Sequence, residues 1–512
     1  MDSLNLTIPR QHDYNDPTVE RDIARLQYWL TNLPLMDVVE TVRLAIGALD
    51  ALNEQKLDAE QRFQFLEIYR DTAHRLFVTV DPLHLRQLAL SKSQRKDAID
   101  GVERLLVALT GGYKLIVAQL YHAGGSGKPD PLLGPAINRS LEQLGFSLLD
   151  SYRFYSEVQS SLVTESHQLY RLARHYGLLD SSIENNTDTD ESASIAAVYQ
   201  TSMLLSLTDP FRLAEGEVGL LYDVLLQHAQ SCRIIPGSQW SGSGDGLFLI
   251  NLDSDDLPVS CAGLQSPVDV KESYILDATA ALAAVRERLA KTPAKVRMQS
   301  PEAMVLRRLL PETAGMDKRK EQRNPDGRWI NLLRGVENIH GWLVRAAQKG
   351  SDSATDIMQQ ADIETAACRV LDSSDGGMKL AWEGGGVGDA RVGDLIGIIE
   401  GQHQRESIGL GMIRSIRVYR KGGMVVGLQL MRGGLGAVSC HAPDEPETTA
   451  IRALFMPASE DEQIAATLVA SKGFYNEKRQ LLIDVGGREV RARAGRCVVD
   501  SPVFDRFEFS AE

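Results

Sequence analysis

A change of hydrophobic period divides this chain and limits the folds open to it more than any motif does. Between about Pro17 and Leu179 apolar residues recur three or four apart, as Leu26, Trp29, Leu30 and Leu33 do, in long stretches with few helix breakers. Beyond Cys368 they come in short runs parted by Gly, Asp, Asn or Pro. The first pattern predicts an antiparallel array of helices. The second predicts barrels or sandwiches, because many short strands with turn signals must close on themselves or pack face to face.

At 512 residues the chain exceeds what one core serves, and roughly 150 residues per domain implies about three units. The pattern divides it into a helical domain over residues 1–180, an acidic linker or loop over 181–195, and a mixed segment over 196–300. A strand-rich unit follows over 301–442, and a second β-rich unit over 443–512. The fold class is thus multidomain α+β. In the mixed segment, runs such as Leu247 to Ile250 and Ser273 to Leu276 read as extended, and Ala278 to Leu289 as a helix. Within the barrel region, Ile416 and Val418 alternate with Arg417 and Tyr419 ahead of Lys421, Gly422 and Gly423, a hairpin signal.

Charge narrows the function classes. There are 69 acidic against 55 basic residues, a formal net charge of −14, which argues against a protein that coats DNA or RNA. From Lys318 to Arg432, however, 17 basic residues face 14 acidic ones, so the balance is locally reversed. The five cysteines are scattered, with no C-x-x-C, which predicts neither a disulfide framework nor a zinc site. No signal-peptide core or spanning apolar run is present, so a cytoplasmic protein without a transmembrane segment is expected.

Several motif-like stretches fail on context. Gly124 to Lys128 has the glycines and lysine of a phosphate loop, but it follows a helix and Pro129 stands where a magnesium-binding Ser or Thr belongs. Asn251 to Asp256 begins like a calcium loop and ends with Ala262 in place of the glutamate. Gly384 to Gly388 is followed by an extended run rather than the helix of a dinucleotide site. There is no H-E-x-x-H and no G-x-S-x-G, so no catalytic set is marked, no metal site is predicted, and an enzyme is not expected.

One pair of motifs remains: Arg319-Lys320-Glu321-Gln322-Arg323, and downstream Asp372-Ser373-Ser374-Asp375-Gly376-Gly377. Singly, the first reads equally as a solvated helical turn and the second as an Asx turn between strands. In this order, ahead of a strand-rich stretch, they resemble the PilZ domain family, whose R-x-x-x-R and D/N-x-S-x-x-G motifs fall on Arg319, Arg323, Asp372, Ser374 and Gly377. The resemblance covers about Met316 to Cys440. It implies that the unit over 301–442 is a six-stranded antiparallel barrel with a preceding arginine loop and an insertion, and that the chain is a bacterial receptor for cyclic di-GMP, with no cofactor besides that ligand. The chemistry of the residues suits such a ligand. An arginine fork can take the O6 and N7 edge of guanine, bind phosphate or stack on a base. An ionised Asp372 accepts from guanine N–H groups, and Ser374 donates or accepts. Lys318 beside Arg319 adds phosphate attraction and favours a stacked ligand pair over a single molecule, while Arg417 and Arg420 are weaker candidates. The 48 residues between Arg323 and Asp372 imply an insertion, with Trp329 to Leu333 as a first strand, Val336 to Ala347 as a helix and an acidic loop over 351–364.

The receptor implied by the resemblance would act on motility, pili, biofilm or exopolysaccharide through a protein partner held by the N-terminal helices, whose faces offer grooves. The rival readings are a ligand-blind scaffold acting through protein contacts, and an enzyme housed in the helical half.

Overall fold

The structure is a computed structural model that describes residues 4–14, 16–123, 128–183, 193–240, 244–262, 272–297, 300–310, 323–349, 365–382, 390–401, 407–420, 422–443, 450–458 and 465–512. The expected loop at Gly124 to Gly127, most of the acidic linker, the glycine run Gly384 to Gly388 and the acidic loop over 351–364 lie outside the described residues. The chain divides into two compact units, Met1–Pro210 with Glu215–Lys318, and Phe211–Ala214 with Arg319–Glu512.

The first unit opens with helices α1 (Ile23–Thr31), α2 (Val38–Glu54), α3 (Ala59–Thr79), α4 (Pro82–Gln87), α5 (Lys92–Ala123), α6 (Leu133–Arg153) and α7 (Ser160–His175). It continues through α8 (Ile195–Leu207) and α9 (Glu217–Ala229). Acidic caps start several of them: Asp22, Asp37, Asp58 and Asp81 each accept a hydrogen bond from a backbone N–H in the first turn, satisfying a donor that the helix itself leaves unpaired. α5 is the axis of the array. Over Leu105–Val117 it is buried on nearly every face, which requires neighbours on all sides, and α2, α3 and α6 pack against it. A small sheet follows in the order β1 (Arg233–Pro236), β4 (Ser273–Asp277), β2 (Leu247–Asn251), β3 (Val259–Ser260). Helices α10 (Thr279–Ala290), α11 (Ala294–Arg297) and α12 (Pro301–Leu309) complete the unit.

The second unit holds two antiparallel barrels, as the strand density foretold. In the first, β6 (Trp329–Arg334), β9 (Leu395–Glu400), β10 (Ser407–Val418), β11 (Met424–Met431) and β8 (Gly377–Trp382) join β7 (Thr365–Ser374) into a closed ring of six. A two-residue strand, β5 (Asn324–Pro325), pairs with the free stretch of β7. The stretch from Cys368 to Leu380 is a hairpin of β7 and β8 that turns at Asp375 and Gly376, within the motif that reads as an Asx turn between strands. The predicted β10–β11 hairpin is present, with Gly422 and Gly423 both at positive φ, and Lys421 outside the described residues. Alternate residues point inward, so Cys368, Val370, Leu380, Ile396, Ile413 and Val426 are fully buried.

The second barrel is closed in the order β12 (Gly436–His441), β13 (Ile451–Met456), β14 (Thr467–Ser471), β17 (Phe504–Ala511), β16 (Arg488–Asp500), β15 (Gln480–Val485). Its first strand lies ahead of position 443. The helix expected within the insertion, α13 (Val336–Lys349), packs on β6 and β9 of one barrel and on β12, β13 and β14 of the other. Its Ile339 and Trp342 share one buried cluster with Leu395, Leu410 and Met431 on one side and Leu454, Val469 and Phe504 on the other.

Candidate ligand-binding face

The arginine segment and the barrel motif meet through β5. Asn324 lies opposite Ser373 and Pro325 opposite Asp372, and the Asp326 N–H donates to the Leu371 carbonyl at 3.0 Å. The Asp326 carboxylate turns the chain into β6. It accepts from the N–H groups of Gly327 at 2.7 Å and Arg328 at 3.1 Å, and from the Ser373 hydroxyl at 3.1 Å. The hydrogen bond from Arg328 N–H, with those of Gly327 and Ser373, holds this carboxyl below the usual carboxylate range. Stapled in this way, the residue just before β5 stands beside the end of the β7–β8 hairpin.

That residue is Arg323. One guanidinium nitrogen donates to the Asp372 carboxylate at 2.8 Å, with both side chains about three-quarters or more shielded from water. A Cβ added to Gly377 would fall 2.6 Å from the second terminal nitrogen of Arg323 and 3.0 Å from the Leu428 carbonyl oxygen. The missing side chain at Gly377 therefore makes room for the arginine, a sharper role than the close backbone approach that glycine suggests in general. The Ser374 hydroxyl donates to the Gly377 carbonyl at 3.4 Å, a contact weak enough to leave it open to other partners. Arg432 braces the hairpin end, donating to the Asp375 carbonyl at 3.3 Å and lying 3.5 Å from its carboxylate.

Of the expected site residues, Arg323, Asp372, Ser374 and Gly377 come together on one face. Arg319 and Lys318 lie outside the described residues. Arg417 is placed elsewhere on β10, its guanidinium 4.5 Å above the Phe211 ring, which is the geometry of a cation–π contact. Within the insertion, α13 packs on β6, β9 and the second barrel, while Arg323 is held at β7 and β8. Sequence reasoning missed β5 and Asp326, and a two-residue strand carries no periodicity by which to find it.

All five cysteines are free, and burial pushes the thiols of Cys232, Cys368 and Cys440 up to about 12. Among the described residues no helix is long and apolar enough to cross a membrane. A cleft in the helical unit is lined by Leu204, Val224, Leu282, Val285 and Leu309, with His228 its one ionisable side chain, which gives no convergent set for acid–base chemistry.

Residues 24–237 match the family model described as the N-terminal domain of the cyclic-di-GMP receptor FimW. Residues 437–511 match the model described as the FimW C-terminal beta-barrel domain. The first barrel falls between the two matched stretches. The whole chain aligns with the cyclic-di-GMP receptor FimW of Pseudomonas aeruginosa at 22% identity over 577 positions, covering 99% of this chain and 94% of the relative. From its helical domain to its last barrel, the chain is similar to FimW.

Proposed function

We propose that this chain is a bacterial, cytoplasmic receptor for cyclic di-GMP, without catalytic activity of its own. The observation that carries the reading is Arg323, which joins the two motifs through its ion pair with Asp372 and its place over Gly377. The end-to-end likeness to a protein named as a cyclic-di-GMP receptor supports it. In this reading Asp372 fixes one side of the Arg323 fork, so the remaining N–H donors are aimed before the ligand arrives, and little side-chain entropy is lost on binding. The fork takes a guanine edge or a phosphate, Asp372 accepts from guanine N–H groups, and Ser374 adds a hydrogen bond. Arg319 and Lys318, of the same PilZ-type arginine segment, add positive charge for the phosphates. Binding there biases a protein-interaction output through the helical unit, in the control of motility, pili, biofilm or exopolysaccharide.

Titration calorimetry of the full chain with cyclic di-GMP tests this. The expected result is measurable heat at micromolar protein, with a stoichiometry of one or two, abolished by Arg323→Ala. A folded protein that gives no heat would overturn it. That outcome would favour a ligand-blind scaffold in which the Arg323–Asp372 pair is a staple for β5.

A further inference from the structure

Beside the Arg323 position the register lays out a second row of side chains. Asp372 of β7, Lys379 of β8, Gly427 of β11 and Ser415 of β10 lie abreast across four strands. The alternate residues of β8, Met378, Leu380 and Trp382, are buried in the barrel, so Lys379 stands on the outer face beside Asp372. Gly427 puts no side chain between Lys379 and Ser415. A Cβ there would fall 2.5 Å from the Ser415 hydroxyl oxygen, which shows that the hydroxyl leans over the glycine toward the lysine. In the neighbouring row Gly377 lies opposite Gln429, whose side-chain oxygen accepts from Arg414 at 2.7 Å.

The Asp372 carboxylate is already engaged by Arg323. Among the described residues no carboxylate stands within ion-pair distance of the Lys379 ammonium. A cation and a hydroxyl donor thus flank a bare stretch of backbone, one strand-row from the arginine that the receptor reading assigns to a base or phosphate. Ammonium is a compact point charge with three donors and suits phosphate oxygens, and a glycine floor lets a tetrahedral anion approach closely.

We propose that Lys379 and Ser415 form a phosphate seat over Gly427, which takes one phosphate of the cyclic dinucleotide while Arg323 holds a neighbouring group. The inference rests on the receptor reading and names two ligand contacts outside the paired motifs.

The test is calorimetric titration of the full chain with cyclic di-GMP at several salt concentrations, on the unsubstituted protein and on Lys379→Met, Lys379→Arg and Ser415→Ala. A charge-assisted phosphate contact predicts that Lys379→Met weakens binding about 10- to 100-fold, whereas Ser415→Ala weakens it by about tenfold or less. Lys379→Met should also flatten the salt dependence, because one screened attraction is gone, while Lys379→Arg keeps both affinity and slope. A merely structural lysine would leave the salt slope alone. Melting of the ligand-free variants at the unsubstituted temperature shows that folding is intact. Lys379→Met binding within twofold of the unsubstituted protein, with the same salt slope, overturns the seat. Absence of heat from the unsubstituted protein removes the receptor reading and the seat with it, and is told apart because it precedes any comparison of variants.

Discussion

At Gly377 a single methyl group decides where the Arg323 guanidinium can stand. A Cβ at that point meets the fork at 2.6 Å, and the Leu428 carbonyl at 3.0 Å leaves it no retreat. Gly377→Ala should therefore displace the arginine and weaken cyclic di-GMP binding by about tenfold or more, in line with the loss of a charged hydrogen bond. The melting temperature should hardly move, since the outer face rather than the core is disturbed. Calorimetry and thermal melts on the same sample check both halves. Two buried groups in the helical unit make opposing contributions to pH dependence. Burial raises the Asp150 carboxyl to about 7, and burial lowers the His167 imidazole to about 4. Between pH 4 and 7 the folded state holds the Asp150 proton that the unfolded chain releases, so this group lowers stability as pH rises. Between pH 4 and 6.5 the unfolded chain holds the His167 proton, so that group raises stability as pH rises. The two slopes, each at most about 1.4 kcal/mol per pH unit, largely offset one another. Asp150→Asn should expose a loss of stability on acidification, and His167→Gln a gain. Helix-sensitive circular dichroism melts from pH 4 to 8 would count against this if the variants ran parallel to the unsubstituted protein.

At the scale of elements, long-range polar contacts hold helices that amphipathicity alone would leave free to slide. Lys114 of α5 pairs with Glu165 of α7 at 2.7 Å, both buried, and Glu165 also accepts from the Thr7 N–H at 2.7 Å. Glu165→Ala strands a buried ammonium and a backbone donor and should cost about 3–5 kcal/mol, measured by chemical denaturation. Adding Lys114→Met should recover part of that loss, because the orphaned charge is removed with its partner. The helices themselves were readable from their period, as were the β10–β11 hairpin and the helix within the insertion, because each presents an apolar face of its own. The Asp375–Gly376 bend was marked as well, by the Asp, Ser and Gly residues that read as an Asx turn between strands. β5 was not, because it holds its place through Asp326 and the edge of β7 rather than through any pattern in its two residues. For the site, the residue types pointed to Arg323, Asp372, Ser374 and Gly377. Lys379 and Ser415 share their face only because strands distant in sequence lie in register, which spacing cannot reveal.

At the scale of the whole chain, the second unit has one apolar seam running from barrel to helix to barrel. Ile339 and Trp342 of α13 fill it from the middle, with residues of both barrels around them. The Ser501 hydroxyl donates to the Gly393 carbonyl at 2.6 Å, and Arg452 pairs with Glu337 at 3.1 Å, adding polar ties along the same seam. Ile339→Ala should cost about 2–4 kcal/mol through the cavity it leaves. It should lower the unfolding transition of both barrels together in calorimetry, since neither has a complete core without the helix, and two separated β transitions would contradict this. A fragment of residues 434–512 should likewise bind hydrophobic dyes or aggregate, because Leu454, Met456, Val469 and Phe504 lose their cover. Such a seam also bears on ancestry. Recombination that cut between the barrels would deliver two fragments each lacking part of its interior, and selection would discard both. Everything from the arginine segment to the C-terminus is thus expected to travel between genomes as a single cassette, with new partners recruited by changes outside it rather than by exchange of either barrel.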